Sequence, residues 1–236
     1  PFAGAACYSL MYHRHDVVLI EKYEPLAKLW KWLIEEATKE KILALPVQIP
    51  NESLSVKSLD ICDEAKMLIG WWVNAVHCTP TWTPSAWMRE MTTSGKPNNN
   101  FWGVNVRRRI ANQVEHIKHW RVHHGDFSDA TKLVDGPVTW FIDPPYQVSG
   151  HHYPEGAKKI DFDALGDWCQ SLDGQVIVCE QEGAEWLPFR PLATFSRGGL
   201  RGAKSGREVV WLNDWSEYRE RPKGFGVANA LVHVED

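Results

Sequence analysis

A chain of 236 residues, 44% of them apolar, is long enough for one sizeable α/β domain or a domain with a small insert. Its formal net charge of −4 does not advertise nucleic-acid binding, yet does not exclude it, because a basic patch can sit on an acidic protein. No run is long and apolar enough to span a membrane, and no secretory signal is visible.

The five cysteines (Cys7, Cys62, Cys78, Cys169, Cys179) are scattered, odd in number and without CxxC spacing. That pattern favours free buried thiols in a reducing, cytoplasmic compartment over disulfides or zinc. Ten histidines invite a metal reading, most of all His123-His124 near Asp126. Adjacent strand residues point to opposite faces, so the expectation is no metal. Most of the thirteen tryptophans are expected in the core.

Pro1 to Ala6 is a small-residue stretch leading into a helix. It is either a plain turn or a loop whose backbone approaches a ligand closely. Asp16 to Glu21 reads as a short apolar strand ending in a carboxylate. Glu21 can accept hydrogen bonds from ribose hydroxyls or cap the helix expected over Pro25–Lys39; the order of loop and strand favours ribose. Trp30 falls on that helix's apolar face.

The rhythm breaks between residues 46 and 100. Val47–Ser58 reads as loop and Glu64–Ala75 as an apolar helix. Thr79–Asn100 is rich in turn residues, and a loop of that length in a compact domain is functional or disordered. Trp82, Trp87 and Trp102 are candidates to stack on or wedge between bases, and Arg89 and Lys96 to meet phosphates; for each tryptophan taken singly, local packing of the insert is favoured. Helix resumes over Asn105–His119, with Arg107-Arg108-Arg109 expected on a solvated face. Trp120–His124 reads as a strand running into Gly125-Asp126-Phe127, a carboxylate and an aromatic suited to an adenine ring.

Val138 to Ile142 reads as a buried strand ending in Asp143-Pro144-Pro145-Tyr146. The prolines fix φ and remove two donors, so the turn is stiff. Asp143 then stands at the carboxyl end of a strand, where open α/β sheets place ligands. Gln147–Lys159 reads as a loop able to cover the site, Asp161–Ser171 as a helix, Gln175–Glu180 as a buried strand, and Trp186–Phe195 as the next connection. Arg197, Arg201, Lys204 and Arg207 stand among glycines in a loop suited to phosphates, a solvated hairpin loop being the alternative. Glu208–Asn213 closes as a strand.

These motifs, in this order, resemble those of the Dam-like, D12-class adenine-N6 DNA methyltransferases, particularly the compact bacteriophage ones. Phe2 and Gly4 match that family's Phe-x-Gly-x-Gly loop, with Ala6 at the second glycine position; Asp126-Phe127 and Asp143-Pro-Pro-Tyr146 match in type and order. The resemblance implies a Rossmann-like class I fold, a mostly parallel twisted sheet with helices on both faces. Residues 1–45 and 105–236 would form the catalytic domain, and residues 46–104 an inserted target-recognition region. It further implies S-adenosylmethionine as cofactor, released as S-adenosylhomocysteine. Pro1, Phe2, Ala3 and Gly4 would hold its methionine part, Glu21 its ribose and Asp126-Phe127 its adenine, with Asp143 beside the reacting methyl.

The implied substrate is N6 of an adenine extruded from double-stranded DNA. Asp143 and the Pro144 carbonyl would each accept an N6–H, with Pro145 stiffening the turn and Tyr146 stacking on the base. Trp82, Trp87, Arg89, Arg197, Arg201, Lys204 and Arg207 are the DNA-binding candidates. Cytosine N4, an RNA base or a protein glutamine amide are alternative acceptors, and a non-catalytic nucleic-acid-binding relative is the alternative of another class. The absence of Gly-x-Gly-x-x-Gly disfavours a nicotinamide oxidoreductase.

The family loop at Pro1 should follow a central first strand. Ala230–Asp236, set before Pro1, would supply it as Leu-Val-His-Val-Glu-Asp-Pro-Phe-Ala-Gly. Two readings stand: a circularly permuted order in which residues 230–236 provide the first strand, or a segment upstream of Pro1 and an ordinary tail.

Overall fold

The computed structural model describes residues 1–47, 55–74, 78–86, 101–136, 138–196 and 205–214. The chain divides into two compact units, one formed by Pro1–Tyr12 with everything from Asp126 onward, the other by His13–Gly125. Both mix helix and strand, the coarse α/β class expected from the alternation of apolar periods. Among the described residues no helix is long and apolar enough to cross a membrane, and no group of three His, Cys, Asp or Glu is placed to hold a metal ion.

In the His13–Gly125 unit, β1 (Val18–Glu21) and β2 (Arg121–His124) pair in parallel, Val18 opposite Arg121 and Glu21 opposite His124. Helix α2 (Glu24–Glu35) follows β1, with proline in its first turn where no donor is lost, and buries Leu29, Trp30, Leu33 and Ile34. It stops at Glu35, short of the expected Lys39. Lys118 Nζ donates to the carbonyls of Leu33 (2.9 Å) and Ala37, satisfying the helix's exposed end. Thr38 then accepts from Lys41 N (3.2 Å) and starts α3 (Lys39–Ala44).

Helices α4 (Asp63–Val73) and α5 (Val104–Gln113) complete this unit, and α5 passes into a 3-10 turn at Val114–Ile117 instead of running on to His119. Trp102 is fully buried, its indole N–H donating to Pro46 O at 2.6 Å, so it is a core residue and not a base-stacking one. The arginine run is not a plain solvated face either. Arg107 Nη1 donates to Leu45 O (2.6 Å) and Arg109 lies 5.1 Å over the Trp72 ring, while Arg108 is exposed.

In the other unit a four-stranded sheet runs in the order β3–β4–β6–β5, from β3 (Thr139–Ile142), β4 (Gln175–Gln181), β5 (Arg190–Ser196) and β6 (Ser205–Leu212). β3 and β4 are parallel, with Ile142 opposite Val178; β6 is antiparallel to both β4 and β5. β5 occupies the stretch expected to be a connection. It contains Pro191, a residue that central strands exclude, but an edge strand tolerates proline because one row of its N–H groups has no ladder partner. A bulge at Pro191–Ala193 accommodates it. Helices α1 (Cys7–Met11) and α6 (Phe162–Ser171) belong to this unit, α6 burying Phe162, Leu165 and Cys169. Residues 230–236, on which the permuted order depends, lie outside the described residues.

Candidate active site

β3 carries the site because of its alternation. Trp140 and Ile142 are buried, while Thr139 and Phe141 take the other face. Trp140 is pinned by its indole N–H to Asp173 O at 2.8 Å and by an edge contact with Trp168. With the strand held, the chain leaves the sheet at Asp143. Asp143 is exposed, Pro144 buried, and Pro145 and Tyr146 half-buried.

The chain then curls back. Gly150 N donates to Tyr146 O at 2.6 Å, and a side chain on Gly150 would stand 2.4 Å from the carbonyl carbon of Pro145. Only glycine permits that approach. Two further bonds tie the curl to the end of β4: Gln147 N to Glu180 Oε2 (2.9 Å) and Ser149 Oγ to Gln181 Oε1 (2.5 Å).

The electrostatics around the turn are negative. The Asp143 carboxyl is pushed up to about 6, first by loss of water from its surroundings. The Tyr146 hydroxyl, within hydrogen-bonding reach, pulls it down; the charges of Glu208 and Glu180 push it up again. Although Asp143 is surrounded by protein, more than a third of its own surface is open, and water on that side works against the rise. Burial and the Asp143 charge also raise the Tyr146 hydroxyl, and burial with Asp143, Glu208 and Glu180 raises the Cys179 thiol. Tyr146 and Cys179 are thus both held toward their proton-bound forms.

The Pro1–Ala6 loop belongs to the same unit. Its backbone is left-handed at Phe2 (φ 57°), Gly4 (φ 48°) and Ala6 (φ 50°), a conformation that costs non-glycine residues energy and clusters at functional sites. Ala6, at the position of the family's second glycine, adopts the glycine-like conformation. The loop is brought to the two other motifs by aromatic contacts. Phe2 stacks on Phe127, ring centroids 6.0 Å apart, and Tyr8 of α1 stacks flat on Phe141 at 4.2 Å and 2°. Phe127 also meets Trp168 at 5.2 Å. Two sets of ring contacts result: Phe2, Phe127, Trp168 and Trp140 on one side, and Tyr8 with Phe141 on the other.

Asp126 has a local task as well. Its Oδ1 accepts from Ser128 N and Ser128 Oγ (both 3.3 Å), and Asp129 reciprocates to Asp126 N (3.2 Å), a capping box for the 3-10 turn Phe127–Lys132. This orients Phe127. Glu21 lies in the other unit, 8% exposed at the end of β1, where Oε1 accepts from Tyr23 N at 2.8 Å. Tyr23 is the residue from which α2 starts, so this bond ties Glu21 to the entrance of that helix.

Of the DNA-binding candidates, Trp82 is half-buried in the His13–Gly125 unit with Lys57 Nζ 5.0 Å over its ring. Arg207 is exposed and paired with Glu182 at 3.0 Å. Trp87, Arg89, Arg197, Arg201 and Lys204 lie outside the described residues.

One residue that sequence reading passed over is Glu180. It appeared as the last residue of an apolar strand, and it is a fully buried carboxylate bound to Gln147, which follows the Asp143–Tyr146 turn. A charged residue in an otherwise apolar run, Gln175-Val-Ile-Val-Cys-Glu180, was the available signal. Comparison with protein-family models returns no match to this chain, and comparison with curated proteins returns none.

Proposed function

We propose that this chain is an S-adenosylmethionine-dependent methyltransferase acting on N6 of an extruded adenine in double-stranded DNA. The observation that carries the reading is that one unit holds the Phe2–Phe127 stack, the Tyr8–Phe141 stack and the Asp143–Tyr146 turn that follows Phe141.

The residues fit the cofactor in chemistry. The left-handed Pro1–Gly4 stretch presents backbone without a bulky side chain at Gly4, and the Phe2 and Phe127 rings offer apolar faces for an adenine. The carboxylates of Asp143, Glu180 and Glu208 make the turn's neighbourhood favourable to a cation. S-adenosylmethionine, when bound, supplies an electrophilic methyl on a positively charged sulfur.

Adenine's amino nitrogen is a poor nucleophile because its lone pair is delocalised into the ring. Asp143 and the carbonyl of Pro144, each accepting one N6–H, favour a pyramidal nitrogen whose lone pair is free to attack. Fixed dipoles and positioning of this kind lower a barrier by several kcal/mol. Asp143 need not be a strong base, since the amine proton becomes acidic once the new C–N bond forms. Tyr146 stacks on the base and excludes water from it.

The test is transfer of labelled methyl to unmethylated duplex DNA, followed by digestion and mass identification of the nucleosides. N6-methyldeoxyadenosine is expected. Asp143→Ala should lower transfer by at least about a hundredfold while cofactor binding stays close to wild type. A fully active Asp143→Ala protein overturns the assignment. Label in RNA or protein, but not in DNA, moves the acceptor and keeps the chemistry.

A further inference from the structure

A carboxylate buried without a cation is costly, and replacing one by an apolar residue of similar size is often neutral or stabilising. Glu180 is 0% exposed, on β4 among Val176 and Val178. Among the described residues its partners are N–H groups. Oε1 accepts from Gln181 N (2.8 Å); Oε2 accepts from Gln147 N (2.9 Å) and Trp186 Nε1 (3.1 Å). Hydrogen bonds to an ionised acceptor are roughly twice as strong as neutral ones. The expensive group is therefore spent on a joint between the end of β4 and the residue that directly follows Tyr146.

The register shows what that joint controls. Ile142 on β3 lies opposite Val178, so Glu180 stands two residues beyond the point where β3 hands over to Asp143. The Gln147 amide is one peptide from Tyr146, and Pro144 and Pro145 have fixed φ. Holding that amide orients the Tyr146–Gln147 peptide. Through the two stiff prolines it limits where the Pro144 carbonyl and the Asp143 carboxylate can point. Gly150, packed against Pro145, blocks retreat on the other side.

We infer that Glu180 is a positioning residue, whose buried carboxylate holds the Asp143–Tyr146 turn in the geometry that faces the target amine. The inference rests on the methyltransferase reading for its catalytic consequence, and on the hydrogen bonds alone for its hold on the turn.

The test has two independent readouts, hydrogen exchange of the peptide spanning residues 144–152 and single-turnover methyl transfer. Glu180→Leu keeps volume and removes all acceptors. It should speed exchange at Gln147 and lower the transfer rate by about a hundredfold, the loss typical of a misplaced reacting group, with cofactor affinity close to wild type. Glu180→Gln returns one acceptor oxygen and should fall between; it also carries the test if the leucine variant does not fold. Trp186→Phe removes one donor from the same carboxylate but leaves the Gln147 bond, and should keep transfer near wild type.

A role confined to core stability would move all three variants together and would overturn the inference. So would wild-type exchange and transfer in both Glu180 variants, or failure of both to fold. If the wild-type protein moves no methyl group at all, the methyltransferase reading fails separately. Exchange then decides: faster exchange in Glu180→Leu upholds the hold on the turn, and unchanged exchange overturns it.

Discussion

Asp143 is a carboxylate asked to accept a hydrogen bond while its surroundings favour its protonated form. Its carboxyl lies at about 6, raised first by burial, with Glu208 and Glu180 adding to the rise. In the proposed reaction the ionised form is the stronger acceptor for the amine, so transfer should climb with pH through an apparent midpoint near 6. Glu208→Gln removes a like charge, and the rising limb should move to lower pH in a rate profile of that variant. A limb that stays in place would separate Glu208 from the site. The same shift carries a stability consequence. The folded state holds the Asp143 proton more tightly than the unfolded chain, whose ordinary value is 3.8. Stability therefore falls as pH rises from that value toward 6 and stays lower above it. Asp143→Asn should melt at a higher temperature than wild type at pH 8 and show no such gain at pH 4. Water on the open side of the carboxylate keeps the gain modest.

Among the elements, the curl from Tyr146 to Gly150 is the most constrained. A methyl group at Gly150 would meet Pro145 backbone at 2.4 Å, and backbone cannot give way as a side chain can. Gly150→Ala should cost roughly 1–3 kcal/mol of stability, as overpacking does, and transfer should drop with it; denaturant melts and the methyl-transfer assay read the two effects. Two elements differ from their sequence patterns for tertiary reasons. α2 ends early because a lysine from the far end of the same unit, Lys118, caps its carbonyls, and burial beside those carbonyls lowers the ammonium's pKa. β5 forms where proline argued against a strand, because the edge of a sheet asks less of each residue than its centre.

At the scale of the molecule, the two units divide the motifs. The Pro1 loop, Asp126-Phe127 and the Asp143–Tyr146 turn share one unit, and Glu21 and Trp82 belong to the other. With a formal net charge of −4, duplex DNA can be held only through local cationic patches. Affinity for a short unmethylated duplex should then fall steeply as salt rises from about 50 to 200 mM. Binding indifferent to salt, read by fluorescence anisotropy, would argue against phosphate contacts. Arg207 is already paired with Glu182, so its contribution requires that exposed pair to open.

Local pattern alone was enough for the strand ending at Asp143, the stiff turn after it and most helices, because period, proline and β-branching act within a few residues. Three things were decided only by packing between distant segments. Trp102, proposed for base stacking, is sealed in the core by Pro46 O. Arg107 and Arg109 of α5 are held by Leu45 O and the Trp72 ring rather than left to solvent. Glu180, one polar residue in an apolar strand, received its meaning from an amide 33 positions away. A hydrogen bond of that kind has no local signature, since its donor and acceptor meet only after the sheet has formed.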